Sequence, residues 1–259
     1  MENLFDLTGK KAVVIGGGGG IGKAIASGLA FAGAEVVIAS RNMQTLEEAA
    51  AEIKTETGCE VGCSTVDVSD PVSIHKLADN CVTKLGTVDV LVNSQGLNKK
   101  VPTLEISADD WGSMFDVNVR GVMLACQAFG KVMLEKNYGK IINVTSIRGI
   151  RALNGGGGNT CYSSTKGGLD MLTKSLSAEW AKHNVHVNGI GPVITETPMM
   201  KTIFKNDPNL KPNLLRNIPM GRIGRTTDNI GAAIFLASAA SDFVTGQIIY
   251  PDGGSAAVV

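Results

Sequence analysis

The sequence predicts an α/β fold, a doubly wound parallel β-sheet with helices on both faces, and three observations carry that expectation. Short Val- and Ile-rich runs alternate with longer amphipathic stretches along the whole chain, the pattern of strands joined by crossover helices. The composition is 44% hydrophobic but only 5% aromatic, with 32 glycines, which suits buried parallel strands and tight strand-to-helix turns. No linker interrupts the 259 residues, so one large core, a single domain over 1–259, is expected.

Taken in order, "KKAVVIG" (10–16) is a β-branched run closed by glycine, a buried strand. In 21–33, Ile21, Ile25, Leu29 and Ala32 recur at helical spacing and a glycine closes the stretch, so a helix is expected. Residues 34–40 read as strand and 43–57 as a charged amphipathic helix. A strand near 60–66, a helix opening at Asp70-Pro71 and a strand over 87–94 repeat the rhythm. A long helical region covers 107–136, followed by strand 139–146, helix 161–183 and strand 185–191. A helix near 227–239 and a short strand, 246–250, complete the series. The exception is 192–226, which carries Pro192, Pro198, Pro208, Pro212 and Pro219; so long a connection is expected to be a substrate lid.

Lys+Arg and Asp+Glu balance at 24 each, so no overall field draws the chain to nucleic acid or to an acidic membrane. No apolar run approaches the ~18–20 residues of a membrane span. The opening "MENLFDLTGKK" lacks the order of a signal peptide, and a cytoplasmic location is expected. Cys59, Cys63, Cys81, Cys126 and Cys161 are odd in number and scattered through apolar segments, which points to reduced, mostly buried thiols. Cys59, Cys63 and His75 match no zinc spacing, so no metal is expected.

Gly16, Gly20, Ile21 and Gly22 sit where the first strand becomes the first helix. Glycine there permits a tight turn and close approach of a pyrophosphate to the backbone. Free N–H groups at the helix start attract anions, the Rossmann-type arrangement. The run also reads G-x-x-x-x-G-K from Gly17 to Lys23, close to a nucleotide triphosphate loop, but Ala24 stands where that motif needs a hydroxyl. The second strand ends in Ser40-Arg41 rather than in the carboxylate that holds the ribose diol of NAD. A hydroxyl followed by a forked guanidinium suits the 2′-phosphate of NADP, so NADP is the expected cofactor and NAD the alternative.

A second glycine run, "NGGGGNTCYSSTK" (154–166), leads to a different pattern. Tyr162 and Lys166 are four apart at the start of a helix and hence on one face. A phenol with its ordinary pKa of ~10 is a poor acid or base at neutrality, and a fixed cation nearby lowers that pKa. Ser146 closes the preceding strand at the carboxyl edge, where open α/β sheets bind ligands. Asn118 lies inside the helical region before it, an unfavourable place for asparagine.

With these motifs in this order, the chain resembles the short-chain dehydrogenases/reductases over essentially its whole length. The family's glycine motif appears as Gly16, Gly20 and Gly22, its adenine-contacting acid as Asp67-Val68, and its N-N-A-G motif as Asn93-Ser94-Gln95-Gly96. The terminal "GRIG…FLAS…TGQIIYPDGG" is similar to the family's tail. The resemblance implies an enzyme with Asn118, Ser146, Tyr162 and Lys166 as catalytic residues. Tyr162 would move the hydroxyl proton while hydride passes between nicotinamide and the adjacent carbon. Lys166 would lower the Tyr162 pKa and hold the nicotinamide ribose, Ser146 would hold the carbonyl oxygen, and Asn118 would position a water linking Lys166 to solvent. Pro192 and Thr197 fall where the family meets its cofactor. A homotetramer is also implied, with 107–136 and 161–183 packing between subunits.

The chain departs from the family pattern at several points. Ile15 replaces a common threonine, which removes a turn-bracing hydrogen bond. Ser94-Gln95 replace Asn-Ala, and the larger Gln95 alters the edge of the cofactor site. Val193 follows Pro192 where glycine is usual, and a β-branched residue does not adopt φ > 0 cheaply, so the backbone there is expected to differ. The spacing from Ser146 to Tyr162 is longer than in many relatives, and Gly155–Gly158 read as the slack that absorbs it.

Within the family, "TKGGLDMLTKSLSAEWAKHNVHVNGIGP" (165–192) and "GQIIYPDGGSAAVV" (246–259) are most similar to the gluconate 5-dehydrogenase-like group, which implies a sugar acid or polyol as substrate. Arg148, Arg151, Lys99 and Lys100 fall on loops at the carboxyl edge, and one or more of them is expected to bind a substrate carboxylate, Arg148 and Arg151 first. The alternatives are a 3-oxoacyl thioester, a hydroxysteroid, or a non-catalytic NAD(P)-binding regulator.

Overall fold

A computed structural model describes residues 3–152, 157–197, 200, 204–207 and 210–258. In these residues the strands are β1 (Lys11–Ile15), β2 (Glu35–Ser40), β3 (Val61–Thr65), β4 (Val90–Asn93), β5 (Gly139–Val144), β6 (Val185–Ile190), β7 (Thr195–Glu196), β8 (Gly224–Arg225) and β9 (Ile248–Ile249). The helices are α1 (Gly20–Phe31), α2 (Met43–Thr57), α3 (Pro71–Leu85), α4 (Ala108–Phe115), α5 (Gly121–Glu135), α6 (Thr160–Trp180), α7 (Leu210–Leu215) and α8 (Ile230–Ala237). Seven strands form one parallel sheet in the order β3-β2-β1-β4-β5-β6-β9.

The alternation of side chains along each strand builds two core layers. Val13 and Ile15 of β1 join Leu77 of α3, Phe129 of α5 and Leu169 of α6 on one face. Ala12 and Val14 join Leu29 of α1, Leu46 of α2 and Leu236 of α8 on the other. Polar residues cap the starts of α2, α3 and α4. Asn42 accepts a bond from Thr45 N–H, Asp70 from Val72 and Ser73 ahead of a helix opened by Pro71, and Ser107 from Asp110. The start of α1 is different: Gly19 stands at its N-cap with no side-chain bond to the first turn.

The strand order reverses between β1 and β4, with Ile15 level with Ala39 on one side and Asn93 on the other. The carboxyl ends of β1, β2 and β4 therefore open together into one crevice, the usual ligand position in such sheets.

The structure refines several expected elements. The helical region 107–136 is interrupted by a π-helical turn, Asp116–Arg120, in which Gly121 N–H bonds back to Asp116 C=O. Helix 161–183 is α6 followed by a 3₁₀ turn at Ala181–His183, and the last strand shrinks to Ile248–Ile249. Among the described residues of the connection 192–226, β7 pairs with β8 as a parallel ribbon, and Pro212 sits inside α7. Pro198 and Pro208, like Gly155 and Gly156, lie outside the described residues. Cys81, Cys126 and Cys161 are buried, Cys59 and Cys63 half-buried, and all five are free thiols. Among the described residues, no helix is long and apolar enough to cross a membrane.

Candidate active site

The first glycine run is a cradle without side chains. A Cβ on Gly16 would stand 2.7 Å from Ser94 C and Gln95 N, and one on Gly22 only 2.2 Å from Gly16 O. Both glycines are required by the close packing of strand, loop and helix. Ile15 deprives the turn of a side-chain brace, yet backbone bonds hold it: Gly16 N–H to Ala39 O at 2.7 Å and Ser94 N–H to Ile15 O at 2.8 Å. Lys23, the residue that would serve a triphosphate loop, forms an ion pair with Glu52 instead. Gly20 (φ +53°) lies beside Thr197, whose methyl would be 3.6 Å from a Cβ there, so the 192–226 connection reaches the cradle. Ile21 is half-buried at the start of α1.

Around the crevice, Ser40 Oγ lies 3.3 Å from a Cβ position on Gly18, and Arg41 is exposed just beyond it. The Asp67 carboxylate accepts bonds from Ser69 N–H (2.9 Å) and Oγ–H (2.6 Å). Those bonds, then the nearby Arg41, hold it below the usual carboxylate range. The Val68 carbonyl packs against α5, 2.6 Å from a Cβ position on Gly121. Asn93 is buried and donates to Asn143 Oδ1 at 2.9 Å, tying β4 to β5. Gly96 leads to the reactive side chains, a Cβ there lying 3.7 Å from Asn118 Oδ1 and 3.9 Å from Lys166 Nζ. The Pro192 carbonyl accepts Ile147 N–H at 3.0 Å. Val193 is not strained: among the described residues only Asn137 and Asn184 are non-glycines with positive φ.

Asn118, Ser146, Tyr162 and Lys166 are brought together by the π-helical turn, the end of β5 and the first turns of α6. Asn118 is 0% exposed. Its Oδ1 accepts Leu97 N–H (2.7 Å), and its Nδ2 donates to Leu97 O (2.8 Å) and Thr165 Oγ1 (3.0 Å). That answers the puzzle of an asparagine inside a helix. The helix widens there, and the amide clamps the loop after β4 to α6. Both Nδ2 hydrogens are thus engaged with protein, while Oδ1 accepts a single bond.

Lys166 is 3% exposed, and its ammonium donates to Val144 O at 2.8 Å. Burial lowers its pKa to about 8, while Asp170 acts in the opposite sense. The ammonium lies 5.7 Å from the centre of the Tyr162 ring. Burial raises the Tyr162 pKa, and a hydrogen bond with Ser146, then the Arg148 charge, pull it back. The net direction is upward: burial outweighs the Ser146 hydrogen bond and the Arg148 charge.

Arg148 follows Ser146 on a 3₁₀ turn, where its own N–H donates to Ser146 Oγ at 3.1 Å. Burial and then the neighbouring Arg151 lower the Arg148 pKa. Arg151 donates to Ser255 O, and Arg148 makes a long contact of 3.4 Å with Arg151 O. Among the described residues neither forms an ion pair with a carboxylate. Lys99 does, with Asp110.

Two residues near this group were not singled out in the sequence. Thr165 bridges Asn118 to α6, and Asp170 is buried one turn after Lys166 with Tyr250 OH 3.4 Å from its Oδ2. Their helical spacing from Tyr162 and Lys166 was the available signal. A cavity of about 310 Å³ lies under the 192–226 connection, walled by Val193, Ile218, Met220 and Tyr250, but it includes none of the four reactive side chains. Two of its charged residues, Arg222 and Asp228, pair with each other at 2.6 and 2.9 Å. Among the described residues no group of three or more His, Cys, Asp or Glu is arranged to hold a metal.

Residues 16–256 match the family model described as enoyl-(acyl carrier protein) reductase. The chain is 34% identical over 252 residues to a gluconate 5-dehydrogenase of Gluconobacter oxydans, covering 97% of this chain and 96% of that protein. It is 36% identical over 250 residues to a 3-oxoacyl-(acyl-carrier-protein) reductase of Chlamydia trachomatis, covering 96% of this chain and 98% of that protein. Its structure is similar to that of a gluconate 5-dehydrogenase from Burkholderia cenocepacia in complex with NADP and tartrate. The TM-score is 0.92 at 36% identity, covering 99% of this chain and 98% of that one.

Proposed function

The chain belongs to the short-chain dehydrogenase/reductase family, an NAD(P)-dependent oxidoreductase acting on CH–OH groups, and we propose that it interconverts a secondary alcohol and a ketone on a sugar acid or polyol, with NADP(H). The observation that carries the substrate class is the pair Arg148 and Arg151, beside Ser146 and without a carboxylate partner among the described residues. A small anionic group on the substrate supplies that partner. The similarity to the gluconate 5-dehydrogenases supports this reading, and the NADP in the related structure supports the cofactor.

The residues present fit a dinucleotide. The cradle of Gly16, Gly20 and Gly22 is closed to any Cβ at Gly16 and Gly22, and the first turn of α1 has no side-chain cap. Ser40 and Arg41 would hold a 2′-phosphate, with Asp67, Val68, Asn93, Gly96, Pro192 and Thr197 along the crevice. When bound, the nicotinamide exchanges a hydride with the carbon that bears the substrate oxygen. Tyr162 takes the hydroxyl proton during oxidation and returns it during reduction. Burial opposes its phenolate, and Ser146 and the Arg148 charge act in the other sense. The Ser146 hydroxyl holds the reacting oxygen as charge develops on it. Lys166 contributes its buried ammonium beside the ribose, and Asn118 fixes the loop that carries Gly96. The 192–226 connection covers the site as a lid, and the enzyme works as a homotetramer in the cytoplasm.

Comparing kcat/KM for an aldonate and its neutral polyol, in the wild type and in Arg148→Ala, tests the substrate class. The preference for the acid should fall by about tenfold or more, the value of a charge-assisted bond. An unchanged preference removes Arg148 from the account. A second reading, a 3-oxoacyl-thioester reductase, is favoured by the similarity to the Chlamydia trachomatis enzyme. A thioester turned over faster than every aldonate would establish it instead.

A further inference from the structure

Gln95 occupies the position that the family pattern gives to alanine, and its carboxamide is orphaned. The residue is 9% exposed, and both Nε2 and Oε1 are buried without a hydrogen-bond partner. Other buried side chains with an unpartnered atom among the described residues, Asn93, Asp170 and Asn229, each bond through their second polar atom. Gln95 has neither end satisfied. A carboxamide cut off from water at both ends is expensive, and such groups persist where something completes them.

The position of Gln95 narrows what that something is. Its backbone N lies 2.7 Å from a Cβ position on Gly16, at the pyrophosphate cradle. The next residue, Gly96, has a Cβ position 3.9 Å from Lys166 Nζ, at the reactive end. The backbone of Gln95 therefore stands at the middle of the crevice between β1 and β4, and its carboxamide, closed off from the empty crevice, must turn toward it to meet a dinucleotide lying between the cradle and the reactive end. A phosphate oxygen only accepts and would satisfy Nε2 alone. A ribose hydroxyl both donates and accepts and can satisfy either end.

We propose that Gln95 is a cofactor-binding residue, whose carboxamide hydrogen-bonds a ribose hydroxyl of NADP(H). The proposal rests on the dinucleotide reading of the crevice. The test is NADPH titration followed by fluorescence, together with thermal unfolding of the ligand-free protein, for wild type, Gln95→Leu and Gln95→Ala. Alanine is the residue the family pattern carries here, so that variant guards against a failure to fold. Both variants should bind NADPH about tenfold more weakly, the loss of one or two hydrogen bonds. Their ligand-free Tm should be unchanged or higher, because an orphaned amide has been removed. A Kd within about twofold of wild type, less than half of one hydrogen bond, overturns the role of Gln95. So does a lower ligand-free Tm, which would mean that the amide has its partner in the protein. A wild type that binds neither NADPH nor NADH overturns the dinucleotide reading, and this proposal with it.

Discussion

Residues 16–22 and residues 157–158 are both glycine-rich and both precede a helix, but their glycines exclude side chains for different reasons. In the first, Gly16 and Gly22 are pressed against backbone, and the helix that follows starts on an uncapped glycine. Strand, loop and helix converge on a surface of bare N–H groups, which is what a pyrophosphate needs. In the second, Gly157 and Gly158 adopt φ of +61° and +67°, and Gly158 O accepts Val101 N–H at 3.1 Å. A Cβ on Gly158 would meet the Val101 backbone at 2.8 Å. This glycine seals one loop against another, and Thr103–Thr160 and Asn98–Asn159 contacts extend the seam to the start of α6. Glycine content alone does not distinguish an anion cradle from a loop closure. What the Cβ would strike does.

The largest effect that separates the two regions is expected at Tyr162. Tyr162→Phe should lower kcat by about 10²–10⁴-fold, the range for removing a general acid–base group. NADPH affinity, read by fluorescence, should stay within about threefold, less than one hydrogen bond to a charged group. Full turnover in this variant would remove Tyr162 from the chemistry, whereas a variant without turnover that kept the wild type's full biological effect would revive a non-catalytic role for the chain.

The converse variant is Arg41→Ala, next to the first region. It should weaken NADPH by about tenfold to a hundredfold, as expected for hydrogen bonds to a charged phosphate, and leave NADH nearly unchanged. Equal losses for both cofactors would place the 2′-phosphate elsewhere.

A smaller effect concerns protons. Lys166, with a pKa near 8 in place of 10.5, should lose its proton well before the exposed lysines when followed by NMR of ε-carbon-labelled, ligand-free protein. Asp170→Asn should lower its pKa further, since the Asp170 charge raises it. The folded-state pKa lies below the unfolded one, so the unfolded chain binds more protons between about pH 8 and 10.5. This group therefore makes the folded state more stable as pH rises through that window.

Much of this was legible in the sequence because it is periodic or terminal. Val13 to Ile15 form an unbroken β-branched run, Ile25 and Leu29 recur on a helical face, and Tyr162 and Lys166 share a helix face by spacing alone. The π-helical turn at Asp116–Arg120 was not legible, since one inserted residue leaves the surrounding apolar pattern intact. Only the buried Asn118 hinted at it. The β7–β8 ribbon was hidden because two-residue strands have no alternation to read. The influence of Arg148 on Tyr162 joins a 3₁₀ turn to the start of α6, and no local sequence rule encodes that approach.

We propose that the first glycine region takes the cofactor and that the second, the slack between Ser146 and Tyr162, shapes the pocket mouth beside Arg148 and Arg151. This division is tested most directly by NADPH Kd and aldonate kcat/KM in two variants, Gly22→Ala and a chain lacking Gly155, Gly156 and Gly157. In Gly22→Ala, where a Cβ would stand 2.2 Å from Gly16 O, NADPH binding should weaken by about tenfold or more. In the shortened chain, NADPH Kd should stay within about twofold while kcat/KM changes among aldonates, polyols and thioesters. Equal loss of NADPH affinity in both variants would contradict the account.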